Sequence, residues 1–245
     1  MNSTIDVIRN DILKILHDNG ISDKLIFEAK KMDVDLIGLF YEKILLENNP
    51  KKIQDNVEVI TKSLLGIYGN YVATSYFEAL GYEVENEYPV YDENKKLLTK
   101  ADLAFVDNNG VVNLCEVKTT SQIIDNIRNY KDDEEKKYNG KYYYDMDSDI
   151  IKYKEIGVKL IKQVTKLKKS GKKVLVVIFN GCFMDDIIKD KLSNLGVSVF
   201  TMAPNVKELE EQLRIMVTNV SNKLGVKNEE RRKWWLFTIF FICIR

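Results

Sequence analysis

Apolar positions in the first fifty residues recur at helical spacing. Ile5, Ile8, Ile12, Ile15 and Leu16 fall on one face of a helix, and Asn19-Gly20 ends it. A second amphipathic stretch runs from Asp33 to Glu47 and stops near Asn48-Asn49-Pro50. The pattern predicts a helical appendage over residues 1–55. A longer helical run extends from about Gln54 to Leu80, with a break expected near Gly66 and Gly69 and with Gly81 as its C-terminal stop.

The period then changes to two. Tyr82, Val84, Tyr88 and Val90 share one face of an extended segment, and Pro89 marks it as an edge. Leu97–Val106 and Val111–Lys118 are the next two strands, joined through the hairpin turn Asp107-Asn108-Asn109-Gly110. Residues 121–149 are polar and Tyr-rich, without clear period. A helix is expected over Asp149–Ser170. The apolar run Val174–Phe179 suits a strand buried on both faces. A helix near Met184–Leu195, a short strand Val197–Phe200 and a helix over 206–224 follow. This order predicts an α/β core over residues 56–225, with a mixed central sheet flanked by helices. Residues 226–245 form a basic and apolar tail.

Composition narrows the function classes. The 245 residues are 45% apolar and 30% charged, which fits a folded chain and not a disordered one. Cys115, Cys182 and Cys243 are far apart and form no CxxC pair, so a structural zinc site or disulfide framework is not expected, and a reducing, cytoplasmic setting is. No secretory signal is read at the start. No apolar run reaches the roughly 20 residues of a membrane-spanning helix, so a membrane partner is not expected. The tail's Trp234–Ile244 run is open to three readings: a last buried strand, a membrane-surface anchor or a read-through extension. His17 is the only histidine, which excludes His-dependent triads and His-rich metal sites. No GxxxxGK[ST] phosphate loop is present.

The formal charge is zero, from 37 basic and 37 acidic residues. It is unevenly spread. Residues 1–120 carry 13 Lys/Arg against 20 Asp/Glu, a net of −7, and residues 121–245 carry 24 against 17, a net of +7. Such asymmetry hints at a polyanion contact through the second half.

The strand meander concentrates charge where a sheet should be apolar. Glu116 and Lys118 are two apart and so share a strand face with Val112 and Leu114. The hairpin can bring Asp102 alongside Glu116. Two neighbouring carboxylates repel, and a hard divalent cation neutralises them. Mg2+ is the usual choice. A lysine beside them can hold an attacking water or stabilise charge on a phosphate.

Ala101-Asp102 and Glu116-Val117-Lys118, thirteen residues apart between the two carboxylates, resemble the PD-(D/E)xK nuclease superfamily over about residues 60–200. The resemblance implies a restriction-endonuclease-like core and a Mg2+-dependent DNA endonuclease, with Mn2+ able to substitute, leaving 5′-phosphate ends. It implies Asp102, Glu116 and the Val117 carbonyl as metal ligands and Lys118 as the residue that orients water. Ala101 replaces the motif's proline. The glutamate that members often carry on the preceding helix is Asn70 here, with Glu78 as the nearest helical carboxylate. Either would complete the site. On the following helix Gln163 lies on the seam between an apolar face and a lysine stripe, where many members place a Gln or Lys facing the site. A role in restriction, defence or a mobile element is implied, with a homodimer if both strands are cut. Two alternatives stand beside this one: a nuclease-like fold that only binds nucleic acid or a protein, and an RNA nuclease.

The lysine stripe, Lys152, Lys159, Lys162, Lys166 and Lys169, suits either a solvated helix face or a phosphate track. Upstream, the segment around Lys141 and Tyr142 interleaves bases with aromatics, as stacking plus backbone contact on nucleic acid requires.

Overall fold

Five strands form one mixed sheet in the computed structural model, in the order β1 (Val84–Tyr91), β2 (Leu97–Val106), β3 (Val112–Lys118), β6 (Lys173–Asn180), β7 (Ser198–Asn205). The structure describes the backbone of residues 4–120, 136–138, 141–143 and 148–242, and side chains over 6–120 and 157–225. β1, β2 and β3 make an antiparallel meander. The turn at Asp107–Gly110 works as its sequence suggests. Asp107 Oδ1 accepts from the Asn109 and Val111 amides, and Gly110 takes a φ of 74° that a side chain would resist.

A crossover helix, α5 (Ser148–Lys168), carries the chain to β6, parallel to β3. A second crossover, α6 (Asp186–Asn194), leads to β7, parallel to β6. A parallel pair demands such a crossover. β6 is buried along most of its length, as its continuous apolar run predicts. Outside this sheet, β4 (Lys136–Tyr138) and β5 (Lys141–Tyr143) form a two-stranded antiparallel pair.

The sheet's two faces meet different helices. On one, Leu114, Val174, Val176 and Ile178 pack with Leu160, Val164 and Leu167 of α5 and Ile188 and Leu192 of α6. On the other, Phe77 stacks on Phe105 at 4.4 Å between ring centroids, and Tyr82 stacks on Phe105 at 4.9 Å. Phe77 belongs to α4 (Pro50–Ala79), one continuous helix of 30 residues. Pro50 begins α4, where its missing N–H costs nothing, and Gly81, at φ 86°, closes it. The break expected near Gly66 and Gly69 does not occur. Two glycines cost a helix about 1 kcal/mol each, which the buried faces on either side outweigh.

The chain divides into two compact units, Gly69–Lys207 and Met1–Tyr68 with Glu208–Arg245. The first contains the sheet. The second contains α1 (Thr4–Asp18), α2 (Asp23–Lys31), α3 (Leu36–Phe40), a π-helical turn at Tyr41–Leu45, the first part of α4 and nearly all of α7 (Val206–Ile242). Its core includes Ile12, Leu16, Phe40, Ile60, Leu64 and Val217, all buried. Arg214 of α7 bridges Glu58, Glu210 and Glu211, and Lys223 donates to Asn19.

The unit that holds the N-terminal helices thus runs to Tyr68 and takes in Glu208–Arg245. The tail is helical to Ile242, which overturns its reading as a last buried strand. Among the described residues, no helix is long and apolar enough to cross a membrane.

Candidate active site

The site forms where β2 and β3 separate. Their register runs from Val106↔Val112 to Leu103↔Cys115 and ends there. One step further, Asp102 stands across from Glu116. The Val117 amide, which β2 no longer receives, donates instead to Asp102 Oδ2 at 2.6 Å. A strand residue directs its N–H and C=O to the same side. The Val117 carbonyl therefore faces the same gap as the Asp102 carboxylate.

β3 supplies the other two groups. Leu114, Glu116 and Lys118 alternate on the face that meets α5, because their β6 partners Val174, Val176 and Ile178 all lie in that core. Lys118 Nζ donates to Glu116 Oε1 at 2.6 Å. The Glu116 side chain is only 5% exposed, while that of Lys118 is 27% exposed and reaches solvent. Glu116 Oε2 is buried without a hydrogen-bond partner. A buried carboxylate oxygen left in that state is costly unless something cationic meets it.

Electrostatics follow from this burial. Burial and the neighbouring Asp102 push Glu116 up to about 7, against the pull of Lys118. Burial also raises Asp102, partly offset by Lys118 and the Val117 amide. Burial alone would lower Lys118, but Glu116 and Asp102 outweigh it and hold the ammonium charged. One lysine thus faces two crowded carboxylates, the electrostatic setting that a divalent cation relieves.

Gln163 reaches the site's margin from α5. Its Nε2 donates to Thr99 Oγ1 and to the Lys100 carbonyl, both at 2.9 Å, and so ties α5 to β2 just before Asp102. Gln163 also acts on the Glu116 carboxylate, where its side chain favours the charged form. Thr99 was not anticipated; nothing in its sequence context distinguishes it from any other strand threonine.

α4 touches the end of β3. A Cβ at Gly69 would lie 1.8 Å from Thr119 Cγ2, so only glycine permits this approach. Asn70, the next residue, is buried. Glu78 is exposed and lies eight residues along α4, about 12 Å at 1.5 Å per residue. Of the two candidates for a helical ligand, Asn70 sits beside the element that bears the site. Among the described residues, no group of three or more His, Cys, Asp or Glu side chains is gathered for metal binding. The acidic set is the Asp102–Glu116 pair.

Cys115 points away from Glu116 and is fully buried, and burial raises its thiol well above the ordinary range. That is a core thiol, not a nucleophile. Lys159, Lys162 and Lys166 are exposed along α5, and Lys169 is exposed just past its end. The side chains of Lys152, Lys141 and Tyr142 lie outside the described residues. Comparison with protein-family models, curated proteins and solved structures found no match for the chain.

Proposed function

We propose that the chain is a Mg2+-dependent phosphodiesterase acting on nucleic acid, DNA in the first instance, with a restriction-endonuclease-like core. The observation that carries this is the buried, partnerless Glu116 Oε2 beside a second buried carboxylate and a charged lysine. Three elements support the core assignment: the preceding helix α4, the meander β1–β3 and the α5 crossover to β6.

The residues present fit a hard cation. Asp102 and the Val117 carbonyl face one gap, Glu116 lies within electrostatic reach of Asp102, and Mg2+ accepts few protein ligands because it keeps several waters. Mg2+ bound there supplies a polarised phosphoryl oxygen and a more acidic water. Lys118, partly exposed at the edge of the pair, orients a water toward the scissile phosphorus and stabilises the charge that develops on the phosphate. Asp102 and Glu116 keep that ammonium protonated. Gln163 holds β2 against α5, which fixes Asp102. The exposed lysines of α5 lie on the unit that carries the site and provide counter-charge for a phosphate backbone.

Incubation with plasmid, linear and single-stranded DNA, and with RNA, tests the proposal in Mg2+ and in EDTA. Cleavage in Mg2+ alone, lost in Lys118→Ala with binding retained, is the expected result. Retained cleavage in Lys118→Ala contradicts the assigned role. Binding without cleavage on every substrate supports a nucleic-acid-binding protein instead.

A further inference from the structure

We propose that Glu87 is a positioning residue for Asp102, through a backbone conformation that switches strand faces at the site. This rests on the reading of Asp102 as a site residue, but its evidence is independent of any metal. Glu87 lies inside β1 with a φ of 53°, the left-handed region that a non-glycine residue enters at a cost.

The neighbours show what that conformation does. Residues two apart on a strand share a face. Asn86 faces α4, where its Oδ1 accepts from Thr74 at 2.9 Å. Tyr88 packs instead with the α5 core, as does Val90. β1 therefore changes faces at Glu87. β2 changes with it, because Ala101 and Ala104, three apart, both lie in the α5 core. The paired register passes from Asn86↔Leu103 to Tyr88↔Ala101, leaving Glu87 and Asp102 opposite each other at the switch.

Asp102 is thereby released from strict alternation. Its carboxylate reaches across to the backbone of the neighbouring strand, where it accepts from the Val117 amide. The Glu87 carboxylate braces the turn through Lys100 Nζ at 3.6 Å. The Lys100 carbonyl in turn accepts from Gln163. The brace and the glutamine tether both act on Lys100, two residues before Asp102, and the left-handed residue lies opposite Asp102 itself.

The test reads the Val117 amide proton by NMR on the full chain. A 2.6 Å bond to a carboxylate shifts this proton downfield, and Asp102→Ala supplies the reference for its loss. Glu87→Val disfavours the left-handed backbone, Glu87→Ala removes the brace to Lys100 while keeping a Cβ, and Glu87→Gly favours the backbone. The expected result is an amide moved most of the way to the Asp102→Ala position in Glu87→Val. It should move partly in Glu87→Ala and return to the wild-type position in Glu87→Gly. Mn2+ dissociation constants should follow the amide, rising at least tenfold in Glu87→Val. If Glu87→Val does not fold, the order Ala against Gly decides. A wild-type amide position in folded Glu87→Ala and Glu87→Val overturns the inference. If the wild-type chain binds no Mn2+ and the amide still responds in this order, the positioning role stands and the metal reading falls.

Discussion

At Glu116 burial works against the charge that the proposed role requires. Its ordinary carboxyl value is 4.5, and in the fold it is raised to about 7. Between those values the folded state holds a proton that the unfolded state has lost. Stability from this group is thus full below about pH 4.5 and falls as pH rises to about 7. At 1.36 kcal/mol per unit the loss is on the order of 3 kcal/mol. Glu116→Gln should therefore be more stable than wild type at pH 8 and nearly equal at pH 4.5, as denaturant melts at the two pH values will show. A variant no more stable at pH 8 would mean that Glu116 is not strained by burial. Lys118→Met should leave the fold intact, because its end is partly exposed, but abolish cleavage.

The meeting of Asp102, Glu116 and Lys118 was legible in the sequence because charge interrupts an apolar alternation there. Glu87 was not. Nothing in Glu-Asn-Glu-Tyr-Pro announces a left-handed residue, and strict alternation assigned Val84 and Tyr88 to one face. The pairing with β2 and the demands of two different helices separate them.

At the level of elements, helix α4 and strand β3 set the site through one contact. Gly69→Ala would drive a methyl into Thr119, at the end of the strand that bears Glu116 and Lys118. Overpacking of this kind costs about 1–3 kcal/mol. The expected outcome is a lower melting temperature and weaker Mg2+ protection, with partial recovery in Gly69→Ala/Thr119→Ser, which removes the Cγ2. Recovery of neither property would show that the close approach is unimportant. The meander, α5 and β6 were readable because turn residues and periodicity agreed. The uninterrupted α4 was not, since local glycine propensity argued for a break that packing over 30 residues overrides. The π-helical turn at Tyr41–Leu45 likewise leaves no mark in an amphipathic pattern.

Across the whole molecule, the division into units could not be read from the sequence. Periodicity shows that a helix has an apolar face but not which distant helix covers it, so the pattern groups α7 with the core and not with the N-terminal helices that share its unit. The charge asymmetry was readable and gains a location. The acidic half supplies Asp102 and Glu116, and the basic half supplies the exposed lysines of α5 and Lys169 just past its end. If these lysines track phosphates, Lys162→Gln/Lys166→Gln/Lys169→Gln should weaken DNA binding across sequences. Each lost contact should lower the slope of log affinity against log salt by about 0.9. An unchanged slope would make the stripe a solvated face.

The most direct measurement is the titration of Mn2+ into the protein, followed by electron paramagnetic resonance at pH 8, where Glu116 is ionised. A single site per chain is predicted in wild type, lost in both Asp102→Asn and Glu116→Gln while each variant remains folded. Wild-type binding retained in either variant, or no binding in the wild type, would contradict a divalent-cation centre at this pair.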